Sequence, residues 1–189
     1  MPTPERTTLE EIVAAARDLL DDGGPANVTM QAVAQRVGVR APSLYKRVRD
    51  REALLTLVST QIALDLGARL AEAGDELESL ARAYRRFAHE QPEGFRLILG
   101  GPGDPEVLAR VSAPVLRATG AAIGDECALD AARLLTAWVT GFAMMELLGA
   151  FRLGGSVDDA FEWGLGRIVS SLDLQEAGAP GHVLPAHGS

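Results

Sequence analysis

The sequence predicts an all-α protein, and three observations support this fold class. Apolar residues recur at intervals of three and four along most of the 189 residues, which gathers them on one face of a helix. Signals that start and end helices bound these stretches, and no segment alternates apolar and polar residues long enough to predict a strand. The composition, with 47% hydrophobic and 23% charged residues, supplies a sizeable core and excludes a mostly disordered chain.

Recognisable signals mark the ends of the predicted helices. The first helix is predicted over residues 8–22, because Thr8 and Glu11 form a capping-box pattern and a Gly-Gly pair follows the apolar stripe. Thr29 and Asp50 are predicted to cap later helices. The remaining helices are predicted over residues 29–36, 42–48, 50–73, 75–91, 92–99, 105–123, 126–151 and 156–172.

Positive charge is concentrated in one window of the sequence. The whole chain has a net charge of −8, yet residues 34–51 carry +5, so the remainder carries −13. The basic residues of the window are Arg36, Arg40, Lys46, Arg47, Arg49 and Arg51. A cationic patch therefore lies on an acidic body, and the overall negative charge does not exclude nucleic-acid binding by that patch.

The sequence also predicts a cellular compartment. Cys127 is the single cysteine, which excludes an intramolecular disulfide and is typical of a reducing compartment. No basic region followed by an apolar run begins the chain, so no signal peptide is predicted. The longest uncharged apolar run, residues 134–145, has twelve residues, fewer than the ~20 that span a bilayer. We expect a cytoplasmic protein with frayed ends at 1–6 and 175–189.

Two short helices within the basic window are joined by a tight turn that contains Gly38, which is the arrangement of a helix-turn-helix motif. The second helix of such a motif enters the major groove of DNA. Its hydroxyl and cationic side chains suit phosphates, and Arg40 just before it could reach a base edge. The candidates on this helix are Ser43, Tyr45, Lys46 and Arg47. Charge alone leaves open the alternative of a solvated basic helix in an ordinary three-helix domain.

The same segment resembles the tetracycline-repressor (TetR/AcrR) family of transcriptional regulators. The similarity rests on TMQAVAQRVGV at residues 29–39, APSLYKRV at 41–48 and DREALL at 50–55. The resemblance implies phosphate contacts by Thr29, Ser43, Tyr45, Lys46 and Arg51, and base contacts by Arg40, Ala41 and Pro42. Arg47 stands where the family usually has His, and could add a phosphate contact.

The resemblance also implies a division of the chain. A DNA-binding domain is expected over residues 1–50, an effector-binding and dimerisation domain over 51–174, and a disordered tail over 175–189. The C-terminal half is similar to one subgroup of the family, which carries a Trp-His-Gly pattern in a long helix. Gly141 fits this pattern, whereas Thr140 stands where His is usual.

Large apolar side chains in the acidic region predict either a ligand site or plain core. Sites in helix bundles combine such side chains with a few polar anchors, but any single one is more often a core residue. The family resemblance implies that some of them line an effector cavity. The candidate ligand-binding residues are Tyr84, Phe87, Phe95, Leu99, Trp138, Phe142, Met145 and Glu146, with Thr140, Arg133 and His89 as further anchors.

The last two long helices are expected to form a dimer interface. In the family that the chain resembles, these helices commonly make a four-helix interface with a second chain. The faces expected there include Leu134, Leu148, Phe161, Leu165, Ile168 and Val169. The glycines at 141, 149, 164 and 166 each cost about 1 kcal/mol in a helix relative to alanine, and close helix approach would explain them.

Catalytic motifs are absent from the sequence. The pair His89-Glu90 lacks the second His of a zinc-protease helix, and no phosphate-binding or dinucleotide-binding glycine motif is present. We therefore predict no enzyme, no metal site and no cofactor. The leading hypothesis is a ligand-responsive, homodimeric repressor that binds a palindromic operator in double-stranded DNA. The rival hypothesis is a helical enzyme or small-molecule carrier that does not bind DNA.

Overall fold

The computed structural model describes residues 7–100 and 104–173, and all regular secondary structure within them is helical. The predicted all-α fold is confirmed, while the predicted frayed ends lie outside the described residues. The helices are α1 (Leu9–Gly23), α2 (Met30–Arg36), α3 (Ala41–Leu44), α4 (Arg51–Glu72), α5 (Leu77–Glu90), α6 (Pro92–Gly100), α7 (Pro105–Ile123), α8 (Asp125–Leu147) and α9 (Val157–Asp173). A short 3-10 helix (Pro25–Asn27) connects α1 to α2.

Helices in the N-terminal half begin where the sequence predicts their caps. The Thr8 hydroxyl accepts a hydrogen bond from the backbone N–H of Glu11 at 3.2 Å, and the Glu11 carboxylate accepts one from the N–H of Thr8 at 2.9 Å. Thr29 caps α2 and Asp50 caps α4, at 3.1 and 2.8 Å from backbone donors three residues later. These bonds satisfy donors that a helix start leaves unpaired. The predicted caps are confirmed.

Helix α4 runs through one continuous hydrophobic core. It packs against α1, α5, α6 and α7. Its buried face consists of Leu54, Val58, Ile62, Leu66 and Leu70. By length and composition α4 is apolar enough to cross a membrane, but these side chains belong to the core of the folded chain. The N-terminal helices and the C-terminal bundle therefore share a structural element.

Helix α8 is shorter than predicted. It ends at Leu147, four residues before the predicted end. Gly149 has a φ of +61°, and its N–H donates to the carbonyl of Glu146 at 2.8 Å. The N–H of Ala150 donates to the carbonyl of Met145 at 2.9 Å, which completes a Schellman arrangement. Gly149 therefore ends the helix, and the expectation that it allows close helix approach is wrong.

Gly164 of α9 does allow close helix approach. An added Cβ at this position would lie 2.6 Å from Cζ2 of Trp138 on α8, far inside van der Waals contact. An added Cβ at Gly141 or Gly166 would meet nothing within 4 Å. The Trp138 ring also stacks on Phe161 of α9, with the ring centroids 5.2 Å apart. The indole thus occupies the space that the missing side chain leaves between the two helices.

Gly164→Ala is expected to destabilise the fold although alanine favours helices. The added methyl forces the indole to move, and overpacking costs about 1–3 kcal/mol. Alanine gains only ~1 kcal/mol over glycine in a helix, so the expected net loss is up to about 2 kcal/mol. Gly166→Ala is the matched control and should raise the free energy of unfolding by up to about 1 kcal/mol. Denaturant unfolding measures both variants, and equal stabilities would contradict the close packing at Gly164.

The apolar residues of α8 and α9 divide between core and surface. Three residues expected at a dimer face are buried within the chain, namely Phe161, Leu165 and Val169. That expectation is wrong for these three, because they pack against α5, α7 and α8 of their own chain. Leu134 and Leu148 remain exposed, and Trp163 of α9 is 68% exposed. The surface available to a second chain is therefore made by these outward-facing residues.

Candidate DNA-binding surface and ligand cavity

Helices α2 and α3 form a helix-turn-helix whose turn is fixed by backbone hydrogen bonds. Gly38 has a φ of +73°, and its N–H donates to the carbonyl of Gln35 at 3.2 Å. The N–H of Val39 donates to the carbonyl of Ala34 at 2.9 Å. This Schellman arrangement needs a left-handed residue, which glycine supplies without strain. Helix α3 ends at the fully buried Leu44, four residues earlier than predicted, and turns follow it.

The cationic window contains paired and unpaired side chains. Arg36 pairs with Asp22 at 2.8 Å, and Arg49 pairs with Asp50 at 2.6 Å. Four cations of this window have no ion pair among the described residues. Arg51 is bonded to backbone carbonyls instead. The other three, Arg40, Lys46 and Arg47, are exposed. Within this window, exposed cations without an ion pair therefore lie immediately before and after α3, the helix expected to enter the major groove.

Two residues expected at phosphates already have partners within the chain. The Nε of Arg51 donates to the carbonyl of Val28 at 2.6 Å, and its Nη2 donates to the carbonyl of Pro25. This guanidinium ties the α1–α2 connection to the first turn of α4. The hydroxyl of Thr29 caps α2. Both side chains hold the motif in shape. The sequence predicts the cap at Thr29, but it does not reveal the role of Arg51, because the partners of Arg51 are distant in the chain.

The other predicted DNA contacts accompany the unpaired cations on the same short segment. Pro42 and Ser43 are exposed and Ala41 is half-buried. Tyr45 is 54% exposed, so this aromatic side chain is accessible at the surface. We call residues 40–47 the reading segment. It presents cations, hydroxyls and an aromatic ring to solvent, and these are the groups that contact phosphates and base edges.

Three parts of the fold meet at Asp65 of α4. The guanidinium of Arg17 on α1 donates to Oδ2 of Asp65 at 2.7 Å and to Oε1 of Gln91 at 2.6 Å. The Gln91 amide, between α5 and α6, donates to the same Oδ2 at 3.2 Å. Arg69, one turn further along α4, donates to Oδ1 of Asp65 at 3.4 Å and also to Glu90. The Asp65 cluster therefore joins α1 to α4 and to the α5–α6 junction.

The Asp65 cluster predicts a pH-dependent contribution to stability. Burial alone would raise the pKa of Asp65, but hydrogen bonds from Arg17 and Gln91, with the charge of Arg69, outweigh burial and lower that pKa. Such a carboxylate stabilises the fold above its unfolded-state pKa of about 3.9, and this stabilisation is lost as the pH falls through the folded-state pKa. Asp65→Asn should cost about 1–2 kcal/mol at pH 7, and the cost should shrink as the medium becomes acidic.

Denaturant unfolding at pH 7 and about pH 3 measures this effect. Asp75→Asn is the matched control, because Asp75 pairs with Arg117 at 3.4 Å with both side chains largely exposed. Exposed ion pairs contribute little, so the control should change stability by less than about 0.5 kcal/mol at either pH. A cost of Asp65→Asn that is the same at both pH values would contradict a charge-dependent role.

A cavity of about 580 Å³ lies between α4, α6, α7 and α8. This volume is in the range of small-molecule sites, ~300–1,000 Å³. Tyr84 of α5 closes part of the wall, and its hydroxyl is 2.8 Å from the hydroxyl of Thr140. Burial raises the pKa of Tyr84, although the hydrogen bond with Thr140 opposes this. The phenol therefore stays neutral at physiological pH.

Only two of the eight predicted ligand-binding residues line the cavity. Tyr84 and Leu99 line the cavity. Phe87 and Phe95 have no exposed surface and belong to the core. The other four predicted residues, Trp138, Phe142, Met145 and Glu146, lie outside the cavity wall. Trp138 and Phe142 pack with the aromatic rings of Phe151 and Phe161 instead. The sequence did not reveal the contributions of α4 and α7, because their Leu, Val, Ala and Ser residues look like ordinary helix residues.

Glu146 connects helices instead of lining the cavity. Its carboxylate accepts hydrogen bonds from Nε and Nη2 of Arg85 at 2.8 and 2.5 Å, and it lies 3.1 Å from Nε2 of His89. Burial alone would raise the pKa of Glu146, but Arg85 and His89 outweigh it and lower that pKa. Arg85 also donates to Asp158 at 2.6 Å and lies 4.5 Å from the ring centroid of Phe161. This cluster fixes α5 to α8 and to the start of α9.

The helix-turn-helix and the helical bundle behind it define a transcriptional regulator. Residues 5–58 match the model of bacterial regulatory proteins of the tetR family, and residues 77–168 match that of the tetracyclin repressor-like C-terminal domain. The chain belongs to the TetR family. The predicted family is thereby confirmed, and the Trp-His-Gly subgroup stays a prediction. Within the described residues, no group of His, Cys, Asp and Glu side chains is placed to hold a metal ion.

Curated relatives and solved structures support the assignment. The chain is 31% identical over 160 residues to the uncharacterized HTH-type transcriptional regulator Rv0681 of Mycobacterium tuberculosis, covering 77% of this chain and 73% of the relative. It is 30% identical over 159 residues to the class A tetracycline repressor from transposon 1721 of Escherichia coli, covering 79% and 73%. The transcriptional regulator SCO7222, a TetR from Streptomyces coelicolor, shares the fold with a TM-score of 0.74 at 16% identity, covering 89% and 99%.

Proposed function

We propose that this protein is a homodimeric repressor that binds a palindromic operator and is released from it by a small-molecule effector. Residues 1–50 bind the DNA, and residues 51–174 bind the effector and the second chain. The protein acts in the cytoplasm, without catalytic activity or a cofactor. One observation carries the proposal: the unpaired cations Arg40, Lys46 and Arg47 surround the second helix of a helix-turn-helix, on a chain with a net charge of −8.

In the proposed complex, α3 lies in the major groove and the reading segment contacts the DNA directly. Lys46 and Arg47 bind phosphates, assisted by the hydroxyls of Ser43 and Tyr45. Arg40 reaches a base edge, and guanine is its preferred partner. Ala41 and Pro42 make apolar contacts next to it. Thr29 and Arg51 contribute by holding the motif in shape.

Fluorescence anisotropy with DNA from upstream of the protein's own coding region tests this proposal. We expect saturable binding whose log K falls linearly with log salt, because each phosphate contact releases counterions. Arg86 is an exposed residue of α5, so Arg86→Ala is a control that should leave the slope unchanged. A carrier without DNA binding, the rival hypothesis, predicts no saturable binding at any salt concentration.

The effector is proposed to occupy the cavity between α4, α6, α7 and α8. Helix α4 begins directly after the helix-turn-helix and contributes to the cavity wall, and the Asp65 cluster fixes it to α1. A ligand releases DNA only if it prefers a conformation whose reading segments are wrongly spaced, and such couplings are typically ~1–3 kcal/mol. A thermal-shift screen of a diverse small-molecule library, followed by anisotropy on each hit, tests this. Hits that stabilise the protein without weakening DNA binding would oppose the proposed release.

A further inference from the structure

Apolar residues make up most of the cavity wall, with some hydroxyl and two charged side chains among them. Thirteen of its 21 residues are apolar and six carry a hydroxyl. The two charged residues, Asp104 and Arg133, are exposed to solvent, and Arg133 pairs with Asp130 at 3.2 Å. Among the described residues, the inner wall therefore offers a ligand apolar surface and hydroxyls but no charged side chain.

Two half-buried hydroxyls on α4 are available to a ligand. Ser59 and Thr60 line the cavity, and within the described part of the chain their hydroxyls bond to no other protein group. Three other wall hydroxyls already have partners: Thr56 donates to the carbonyl of Glu52 at 3.0 Å, Ser112 donates to that of Leu108 at 2.7 Å, and Tyr84 bonds to Thr140. The sixth wall hydroxyl, that of Thr136 on α8, belongs to an exposed residue. The adjacent pair on α4 is thus the natural partner for a polar group that enters the cavity.

We propose that the cavity takes an uncharged, mostly apolar molecule whose polar end, a hydroxyl, carbonyl or amide, hydrogen-bonds to Ser59 and Thr60. This inference rests on the proposed function, in which the cavity holds the effector. An unpaired charge against an apolar wall is strongly disfavoured, whereas one or two hydroxyls satisfy an uncharged polar group. Ser59 and Thr60 lie on α4, about two turns after Arg51. The polar end of the ligand therefore contacts the helix that follows the reading segment.

Three probes with the same eight-carbon tail test the ligand class: octan-1-ol, octanoate and octylammonium. Isothermal titration calorimetry on the full chain at neutral pH, without DNA, measures each Kd. We expect octan-1-ol to bind at least about tenfold more tightly than either charged probe, which corresponds to about 1.4 kcal/mol. Tighter binding of octanoate would indicate Arg133 as the anchor, and tighter binding of octylammonium would indicate Asp104. Either result, equal affinities, or no binding of octan-1-ol would overturn the proposal.

Variants then test the two hydroxyls. Ser59→Ala combined with Thr60→Val removes both hydroxyls with little change of shape, and should weaken octan-1-ol binding about two- to tenfold. Ser79→Ala is the matched control, because Ser79 is a half-buried serine on α5 outside the cavity wall. Circular dichroism checks folding, and Ser59→Ala alone replaces the double variant if that variant does not fold. Undiminished affinity for octan-1-ol would overturn the role of the hydroxyls.

These titrations contain no DNA. Their failure would reject the ligand class and leave the proposed DNA binding standing. A failure of salt-dependent DNA binding with intact octan-1-ol binding would instead reject the proposed function. The two results are therefore distinguishable on the same protein preparation.

Discussion

Arg40→Ala is expected to weaken binding to the operator, identified by selection from random DNA duplexes, by ~1–3 kcal/mol at each half-site. Binding to random DNA should change little. Arg40 is exposed, lies at the N-cap of α3 and makes no ion pair among the described residues. A guanidinium in this position can form two hydrogen bonds to a guanine edge, and its removal should relax sequence preference at one base pair of each half-site. Anisotropy on the operator and on operators changed at single base pairs measures both effects.

Lys46→Ala is the matched comparison for Arg40→Ala. Lys46 follows α3 and has a flexible amino group that suits a phosphate. Its removal should weaken binding to all sequences alike, and should flatten the slope of log K against log salt by about one for each phosphate that is no longer neutralised. Equal reductions in affinity on operator and random DNA for both variants would show that Arg40 only contacts the DNA backbone.

Trp163→Asp is expected to dissociate the proposed dimer and to lower operator affinity by about 10²–10⁴-fold. Trp163 is 68% exposed on α9, and a charge there opposes burial against a second chain. Two linked reading segments bind far more tightly than one, because the second binding event becomes intramolecular. Sedimentation velocity measures the oligomeric state, and anisotropy measures the affinity.

Leu153→Asp is the matched control for the dimer prediction. Leu153 is 92% exposed and lies in the loop between α8 and α9. The variant therefore places the same charge on an exposed apolar residue that is not part of either helix. Leu153→Asp should leave the oligomeric state and the operator affinity unchanged. Dissociation by both variants, or by neither, would contradict an interface built on the outward faces of α8 and α9.

Local features of the fold could be predicted from the sequence. The caps at Thr8, Thr29 and Asp50 and the turn at Gly38 depend on residues within five positions of each other, so the signals stand together in the sequence. Helix ends were harder to predict. The φ of +61° at Gly149 ends α8, although the apolar spacing continues beyond it.

The candidate site could be predicted only in part. The reading segment lies in one stretch of sequence, and its cations are exposed as expected. The ion pair of Arg85 with Glu146 joins residues 61 positions apart, so a candidate ligand anchor proved to be a contact between helices. The cavity wall is made of common small and aliphatic residues from four helices, whereas the aromatic residues that attract notice, such as Trp138, pack with one another.

Selection from a pool of random DNA duplexes tests the central claim most directly. Wild-type protein is mixed with the pool, bound duplexes are recovered and amplified, and the enriched sequences are read. We expect one palindromic sequence, with half-sites about one helical turn apart, near ~34–36 Å, because each chain of a two-fold dimer presents one reading segment. Enrichment of no sequence, or of a single half-site without its two-fold partner, would contradict a dimeric operator-binding regulator.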